Sequence, residues 1–178
     1  RYIVHVSVSK MRKTVYWKKI ADWKFKVYVI WWYCKNQEVK KMYFAGAVNG
    51  DDRNDGLTPA SAFATLERLN EWILSPGTTV ALRRGGIFTG TLKPKNGGTS
   101  DKPVHITAYG EGPLPIINGN GAENAVEIRN LSYIEVSNLE IINASTDIYT
   151  PRRGVFVCCG ERGGKYCGIN LKNLYVHN

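Results

Sequence analysis

The chain has 178 residues, of which 43% are hydrophobic and 22% charged, and its formal net charge is +9. This is the composition of an ordinary soluble globular protein, and the length is sufficient for one domain with a hydrophobic core. The spacing of the four cysteines excludes a disulfide framework.

Residues 1–42 carry the whole positive excess. They contain eleven lysine and arginine residues against Asp22 and Glu38, whereas residues 43–178 contain thirteen basic and thirteen acidic residues. Four of the five tryptophans also lie before residue 43. This abrupt change predicts a boundary near Tyr43, with a basic, aromatic-rich segment of unknown role at 1–42 and a folded unit at 43–178.

Three interpretations of the first segment remain open. The apolar run Phe25–Cys34 follows basic residues, as in a signal peptide or a membrane-surface anchor, but it is too short and too charged for a transmembrane helix. Tyr2–Val8 alternates apolar and polar residues, which is typical of an extra strand packed on the domain. The third interpretation is sequence outside the folded unit. This last class includes nucleic-acid binding, for which no recognisable motif is present. We predict neither a stable membrane span nor a nucleic-acid partner.

A turn-rich loop over Asn49–Gly56 follows an initial strand predicted at Met42–Val48. Its three aspartates resemble a calcium loop, but Arg53 and Ala62 occupy the third and twelfth positions of an EF-hand, and the twelfth requires glutamate. The loop is therefore predicted to serve turn and capping roles, and no metal site is predicted. The aspartates are Asp51, Asp52 and Asp55.

One short amphipathic helix is predicted over Leu66–Leu74. Thr65 is placed to cap its N-terminus, and Glu67 favours the positive end of the helix dipole. A Ser-Pro-Gly sequence ends the helix. We expect it to cover the open end of a stack of strands. Its predicted apolar stripe consists of Leu66, Leu69 and Ile73.

From Thr78 onward the pattern is strand, turn, strand, with Gly, Asn and Pro between the strands. No strand is followed by a segment of helical period, which excludes a doubly wound α/β sheet. The predicted strands are Thr79–Leu82, Ile87–Thr89, Thr91–Lys93, Val104–Tyr109, Pro115–Ile117, Ala125–Ile128, Tyr133–Val136, Leu139–Ile142, Gly154–Cys158, Ile169–Leu171 and Leu174–His177.

An internal repeat connects two of these regions. Residues 134–143 and 169–178 both read apolar-x-apolar-x-Asn-Leu-x-apolar-x-Asn, at an offset of 35 residues. Steps of 24 residues from Val80 to Val104 and of 29 from Ile87 to Ile116 fit a solenoid with variable loops. The alternative is an antiparallel β-sandwich. Stacked asparagine ladders between coils are predicted at Asn130, Asn138, Asn143, Asn173 and Asn178.

The chain resembles the N-terminal part of right-handed parallel β-helix proteins of the pectate-lyase-like superfamily. The resemblance implies an all-β fold: a right-handed parallel β-helix, or solenoid, with a short N-terminal capping α-helix. The chain stops after a strand without a second cap, so we expect the solenoid to be truncated at its C-terminal end. The resemblance rests on Tyr43–Gly56, Thr58–Leu66, Ser75–Val80, Arg83–Gly90 and Lys102–Gly110.

The resemblance also implies secreted or cell-surface carbohydrate chemistry. The main expectation is a polysaccharide lyase acting on uronic-acid polymers, with its catalytic residues beyond residue 178. The alternatives are a glycoside hydrolase and a non-catalytic carbohydrate-binding or adhesin module. A polysaccharide is the expected partner. Calcium, which often neutralises the uronate in this family, is the cofactor that the resemblance implies, and the sequence itself specifies none.

A basic cluster is the candidate substrate site. Arg152 and Arg153 lie at a loop-to-strand junction, and Lys165 lies in the following Gly-rich loop. Their cationic side chains would suit an anionic polymer, although ordinary solvated charges are the commoner explanation of such residues. Catalytic residues stay unassigned. The weaker candidates are His105, His177, Asp147, Glu161, Tyr149 and Tyr166.

The four cysteines are predicted to pack in the hydrophobic core, because cysteine is commonly buried in proteins. A bridge between Cys159 and Cys167 across a loop is an alternative. A zinc site is disfavoured because neighbouring residues of a strand, such as Cys158 and Cys159, point to opposite faces.

Overall fold

The computed structural model describes residues 41–146 and 149–177. Most of the N-terminal basic segment lies outside these ranges, so the predicted boundary near Tyr43 stays a prediction. The described part contains nine β-strands, one α-helix and a turn of 3-10 helix at Pro59–Ser61. The helix α1 spans Leu66–Glu71, and the strands are β1 (Met42–Ala45), β2 (Thr79–Arg83), β3 (Ile87–Thr89), β4 (Val104–Tyr109), β5 (Ile116–Asn118), β6 (Asn124–Arg129), β7 (Ile134–Ile142), β8 (Arg153–Cys158) and β9 (Ile169–His177).

All strand pairs in the described part of the chain are parallel. The larger sheet has the order β1-β2-β4-β7-β5-β3, and β9 pairs with β7. The smaller sheet pairs β6 with β8 and is extended by a parallel bridge between Leu92 and Val126. The protein is therefore mostly β, with a parallel curled sheet, and an antiparallel sandwich is excluded.

The strand registers test the predicted repeat. Ile134 pairs with Ile169, which confirms the 35-residue step, and Ile87 pairs with Ile116, which confirms the 29-residue step. The 24-residue step is wrong, because Val80 pairs with Ile106 and not with Val104. A shift of two residues keeps the same side chains facing inward, so the apolar pattern alone does not distinguish the two registers.

Strands β7 and β9 each bend in the middle. Their first halves continue the ladder of β4, whereas the second half of β7 pairs with β5. Asn138 and Asn173 lie at the two bends with φ of 57° and 48°, a left-handed conformation that asparagine tolerates better than most residues. The Asn173 side-chain amide donates to Asn138 Oδ1 at 3.3 Å. The predicted asparagine ladder is therefore confirmed at this pair.

Asparagines at two other predicted ladder positions bond to backbone instead. Asn130 Oδ1 accepts the backbone N–H of Gly160, and the Asn143 amide donates to the carbonyls of Ala122 and Arg153. These bonds fix loops and not coil-to-coil ladders, because each side chain faces a turn. Asn178 lies outside the described residues.

The core lies inside the curl of the sheet, where alternate side chains of each strand are buried. In β4, Val104 and Ile106 are inside, and His105 between them is part-exposed. This period of two follows from the pleat of a strand. In the parallel register, the inward-facing apolar side chain of one strand packs against that of the next strand, for example Val80 against Ile106. The buried side chains are almost all aliphatic or aromatic. The largest fully buried side chains include Phe63, Phe88, Leu66, Leu82, Leu92 and Ile117.

The segment around α1 covers the edge of the smaller sheet at Thr91 and Lys93. The Thr65 hydroxyl accepts the Arg68 N–H at 3.2 Å and caps the helix. The Asn70 amide donates to Thr91 O and accepts from Lys93 N, both at 2.7 Å. Asn70 therefore satisfies backbone groups that a neighbouring strand would otherwise pair.

The helix is shorter than predicted. It ends at Glu71, and Trp72 has an extended backbone and packs against Tyr43 with ring centroids 4.8 Å apart. The stripe predicted to include Ile73 is wrong at that position, because Ile73 is 77% exposed whereas Leu74 is buried. Because the helix ends at Glu71, Ile73 is not helical and does not lie on the buried face with Leu66 and Leu69.

The aspartate loop has turn and capping roles. Both Asp52 carboxylate oxygens accept hydrogen bonds, from the N–H groups of Ala64 and Thr65 and from the Thr65 hydroxyl. Asp55 Oδ1 accepts from Leu57 N and from the Ser61 hydroxyl. These oxygens are directed at protein donors and are not arranged as ligands of a calcium ion.

The described cysteines do not pack in the core. Cys158 is half-buried, and Cys159 and Cys167 are exposed free thiols. The prediction of core packing is wrong for these three, because they lie at the end of β8 and in the loop that joins it to β9. In residues 41–146 and 149–177, no cluster of three acidic, histidine or cysteine side chains is arranged to hold a metal ion. Nor does any helix of these residues have the length and apolar character needed to cross a membrane.

Candidate functional site

The outer faces of the strands carry carboxylates that each bind a basic side chain from an adjacent strand. The strand pleat places these groups, because buried residues alternate with them in sequence. The parallel register then brings together residues roughly 30 to 37 positions apart in the chain. The three central carboxylates are those of Glu127 on β6 and of Glu135 and Glu140 on β7.

Glu127 forms the most enclosed of these clusters and is only 8% exposed. Its Oε1 atom lies 2.9 Å from Arg129 Nε and 3.1 Å from Lys93 Nζ, and its Oε2 accepts from the Asn124 amide at 3.2 Å. The hydrogen bond from Arg129 lowers the pKa of Glu127, with further lowering by Lys93 and Asn124, and burial opposes these effects. Glu127 is therefore a firmly ionised carboxylate.

Arg153 joins the same outer face from β8. Its Nη1 atom donates to Glu123 Oε1 at 3.0 Å and to Asn124 Oδ1 at 3.3 Å. The Arg153 guanidinium lies 4.9 Å from the centre of the Phe156 ring, and that of Arg129 lies 5.4 Å from it. Two cations thus flank one aromatic ring, an arrangement stabilised by the ring quadrupole. We call Lys93, Asn124, Glu127, Arg129, Arg153 and Phe156 the β6–β8 face.

The other two members of the predicted basic cluster lie beside this face in the chain. Arg152 directly precedes β8 and is half-buried. Lys165 is exposed in the loop between β8 and β9. The structure shows Arg153 engaged with the β6–β8 face, and the role of all three in substrate binding stays a prediction.

A second cluster surrounds Glu135 on the outer face of the larger sheet. Lys172 Nζ lies 2.5 Å from Glu135 Oε2, and His105 Nδ1 lies 3.7 Å from Oε1. The Lys172 hydrogen bond lowers the pKa of Glu135 against the effect of burial, and His105 adds to the lowering. Next to it, the Ser137 hydroxyl and the Asn138 amide bond to Thr107 Oγ1 at 3.1 and 3.0 Å.

A third cluster contains Glu140, His177 and Tyr175. His177 Nε2 lies 2.9 Å from Glu140 Oε1, and the ring centres of His177 and Tyr175 are 4.3 Å apart. Tyr175 is 58% exposed, so an aromatic surface is available beside an ion-pairing group.

Among the weaker sequence candidates, Glu161 accepts a hydrogen bond from the Tyr166 hydroxyl at 2.9 Å within the β8–β9 loop. Tyr149 is 90% exposed. Asp147 lies outside the described residues. Glu161 thus has a local loop contact, and a catalytic role for either carboxylate stays a prediction.

The chemistry of these clusters favours binding over proton donation. Glu127 and Glu135 each face cations that stabilise the charged carboxylate, which is unsuitable for the general acid of a glycosidase. A carboxylate whose oxygens already accept from two or three donors is also a poor nucleophile. What the faces offer are ordered hydrogen-bonding groups and aromatic rings at neutral pH.

No protein-family model matches the chain. A lacto-N-biosidase of Bifidobacterium longum subsp. longum is 27% identical over a 189-residue alignment, which covers 76% of this chain and 12% of that protein. Protein YwoF of Bacillus subtilis, which is uncharacterised, is 33% identical over 116 residues, covering 62% of this chain and 24% of that protein.

Two crystal structures of the GH136 lacto-N-biosidase of Eubacterium ramulus have the same fold. The selenomethionine form superimposes with a TM-score of 0.72 and 29% identity, covering 86% of this chain and 30% of that one. The native form gives a TM-score of 0.62 at the same identity. The relatives with a named activity are glycoside hydrolases. The chain spans between 12% and 30% of the length of these relatives.

These relatives correct the main functional prediction. A polysaccharide lyase acting on uronic-acid polymers is wrong, because the named relatives are hydrolases, and the glycoside-hydrolase alternative is better supported. The shape of a parallel β fold suits both reactions, so the sequence pattern alone did not separate them.

Sequence reasoning missed most of the clustered residues. Lys93, Glu127, Arg129 and Phe156 received no role, because nothing in the sequence around any one of them indicates its partners. The usable signal was the alternation Ala-Val-Glu-Ile-Arg in β6, where charged residues at every second position mark an outer face.

Proposed function

We propose that this chain is part of a glycoside hydrolase of the lacto-N-biosidase type. The likeness to the E. ramulus enzyme, with a TM-score of 0.72 over 86% of the chain, is the observation that carries the proposal. A carbohydrate is accordingly the proposed partner. The ordered polar and aromatic groups on the outer strand faces agree with this, since sugars are bound by such groups.

The proposed architecture is a right-handed parallel β-helix of the pectate-lyase-like kind. The parallel pairing, the repeated 35-residue step and the covered edge of the smaller sheet support it. In such a solenoid the outer faces form a long surface suited to a chain of sugar residues. Residues 1–42 form a separate segment in this proposal, and the protein acts outside the cell or at its surface.

Arg152, Arg153 and Lys165 are the proposed substrate-binding residues. Arg153 carries the argument, because it lies on the β6–β8 face beside Phe156, where a guanidinium and an aromatic ring are held together. For a neutral oligosaccharide these groups would act as hydrogen-bond donors and a stacking surface, and not as counter-charges.

Activity is tested with the natural protein that contains this chain, using a chromogenic lacto-N-bioside. We expect release of the chromophore, and for Arg153→Ala we expect a KM raised about fivefold or more, because one charge-assisted donor is lost. The control is Arg162→Ala, which removes an exposed arginine of the β8–β9 loop.

Two outcomes would contradict the proposal. If the protein leaves lacto-N-biosides intact but hydrolyses another glycoside, the substrate is wrong and the reaction class stands. If no glycoside is hydrolysed by the folded protein, the glycosidase proposal fails. Unchanged KM in Arg153→Ala would remove Arg153 from the site without affecting the reaction class.

A further inference from the structure

A cleft of about 210 Å³ lies between the loop after β1 and the turn from β2 to β3. Residues 47–49 line one side and residues 83–86 the other. A Cβ placed on Gly86 would lie at ordinary van der Waals distance, 3.5 Å, from the Ala47 Cβ, so the two walls lie close together at this point. Val48 and Asn49 on one wall and Arg83 on the other are exposed, so the cleft opens to solvent.

Two consecutive arginines line the cleft. Arg84 is held in place, because its N–H donates to Tyr109 O at 3.0 Å and its Nη1 donates to Gly112 O at 3.2 Å. Arg83 ends β2 and is exposed. Each guanidinium has five N–H donors in a planar fork, and within the described residues most of these donors form no hydrogen bond.

These arginines differ from the basic residues of the outer strand faces. Lys93, Arg129 and Lys172 each have a carboxylate partner within 3.1 Å. Within residues 41–146 and 149–177, neither Arg83 nor Arg84 forms an ion pair. Asp51, which follows the opposite wall by two residues in the chain, accepts the backbone N–H of Arg53. The cleft therefore carries positive charge that the described part of the fold does not neutralise.

We propose that the cleft lined by Arg83 and Arg84 binds the oxyanion of an acidic sugar residue, either a carboxylate or a sulfate ester. Guanidinium forks match both groups through paired N–H donors. The volume exceeds that of an oxyanion alone, and the Asn49 side chain at the opposite wall supplies a donor and an acceptor for hydroxyl groups. The inference that the ligand is a sugar depends on the proposed carbohydrate function. The inference that it carries an oxyanion depends on the two arginines.

The site is tested by titrating the ¹⁵N-labelled full chain and following the amide signals of Gly85 and Gly86. Glucuronate and N-acetylglucosamine 6-sulfate are the probes, and glucose and N-acetylglucosamine are the matched neutral sugars. We expect at least one acidic sugar to shift these signals with saturation, and the neutral sugars to leave them unchanged. Which acidic sugar binds more tightly identifies the source of the oxyanion.

Arg83→Ala should weaken the binding about tenfold, because a charge-assisted paired contact is lost. The Arg83 side chain makes no hydrogen bond or ion pair within the described residues, and its backbone bonds are kept in alanine, so the variant is expected to fold. If Arg83→Ala does not fold, Arg83→Lys is titrated instead. This variant retains the charge without the planar fork of N–H donors, and it should bind the acidic sugar at least about threefold more weakly than the parent chain. Arg162→Ala is the control and should bind like the parent chain.

The proposal is overturned if neither acidic sugar shifts these signals, if neutral sugars bind equally well, or if Arg83→Ala keeps an affinity within twofold of the parent chain. The titration needs no hydrolysis. Failure of the glycosidase proposal therefore leaves this test intact, and acidic-sugar binding without hydrolysis would separate the two.

Discussion

At the scale of single residues, Glu127 shows how a charge can be placed on a strand and still be nearly buried. Its carboxylate cross-links strands through Lys93, which precedes it by 34 residues, and it also binds Arg129 on its own strand. The two cations remain about half exposed and keep their hydration. Burial of the carboxylate is thus offset by hydrogen bonds, while the long basic side chains retain contact with water.

We expect Glu127→Gln to lower the free energy of unfolding by about 1 to 2 kcal/mol, since the charge-assisted bonds to Lys93 and Arg129 are lost and the cations then repel each other. Glu123→Gln is the matched control, because its ion pair with Arg153 is exposed and should contribute less than about 0.5 kcal/mol. Urea unfolding followed by circular dichroism measures both. Equal stability of the two variants would contradict the role of Glu127 as a cross-link to Lys93 and Arg129.

At the scale of elements, the segment around α1 covers the sheet edge at Thr91 and Lys93. A six-residue helix has little intrinsic stability, so its position depends on tertiary contacts. Leu66 and Leu69 are buried, Thr65 caps the N-terminus, and Asn70 bonds to the exposed edge at Thr91 and Lys93. The helix is therefore a covering element that the sheet holds in place.

Asn70→Ala should destabilise the chain by about 1 to 2 kcal/mol, because two backbone groups at the sheet edge lose their partner. Hydrogen exchange at the Lys93 amide should accelerate, as that N–H would face water. Glu71→Ala on the same helix removes only an exposed pair with Arg68 and should change stability by less than about 0.5 kcal/mol. Unchanged exchange at Lys93 would show that the cap does not depend on Asn70.

At the scale of the whole molecule, three carboxyl groups with lowered pKa tie distant parts of the fold together. The pKa of Glu127 is lowered chiefly by Arg129 and that of Glu135 by Lys172. Burial acts to raise the pKa of Asp52, but hydrogen bonds from Thr65 and the N–H of Ala64 outweigh it. Protonation of each group therefore weakens the folded state more than the unfolded chain.

Stability should accordingly depend on pH in the acid range. The folded carboxyls bind protons less readily than the unfolded ones, whose ordinary glutamate pKa is 4.5. Their contribution is present above about pH 4.5 and is lost as the pH falls through the lowered values. Thermal unfolding should give a Tm that changes little between pH 7 and 5 and drops below pH 4.5, and less steeply in Glu127→Gln. A Tm constant down to pH 3 would contradict this.

The amino-acid sequence by itself determined the local features. Alternating apolar residues specified the strands, Thr65 marked the helix start, and the echo between residues 134–143 and 169–178 specified the register of β7 and β9. Such features depend on neighbours in the chain or on a visible repeat. The helix end was not determined in this way, because Trp72 leaves the helix to pack on Tyr43.

Only the tertiary structure decided which side chains meet. Lys93 reaches Glu127 and Lys172 reaches Glu135 because variable loops still return each strand to the same register. Because the loop lengths vary, the number of residues between two strands does not predict which side chains become neighbours. Of the predicted basic cluster, Arg153 is seen in contact with the β6–β8 face. The cleft between Arg83, Arg84 and the loop after β1 was not predicted. A parallel β fold can hold many chemistries, so its activity depends on these surface pairings and not on the pattern that builds the strands.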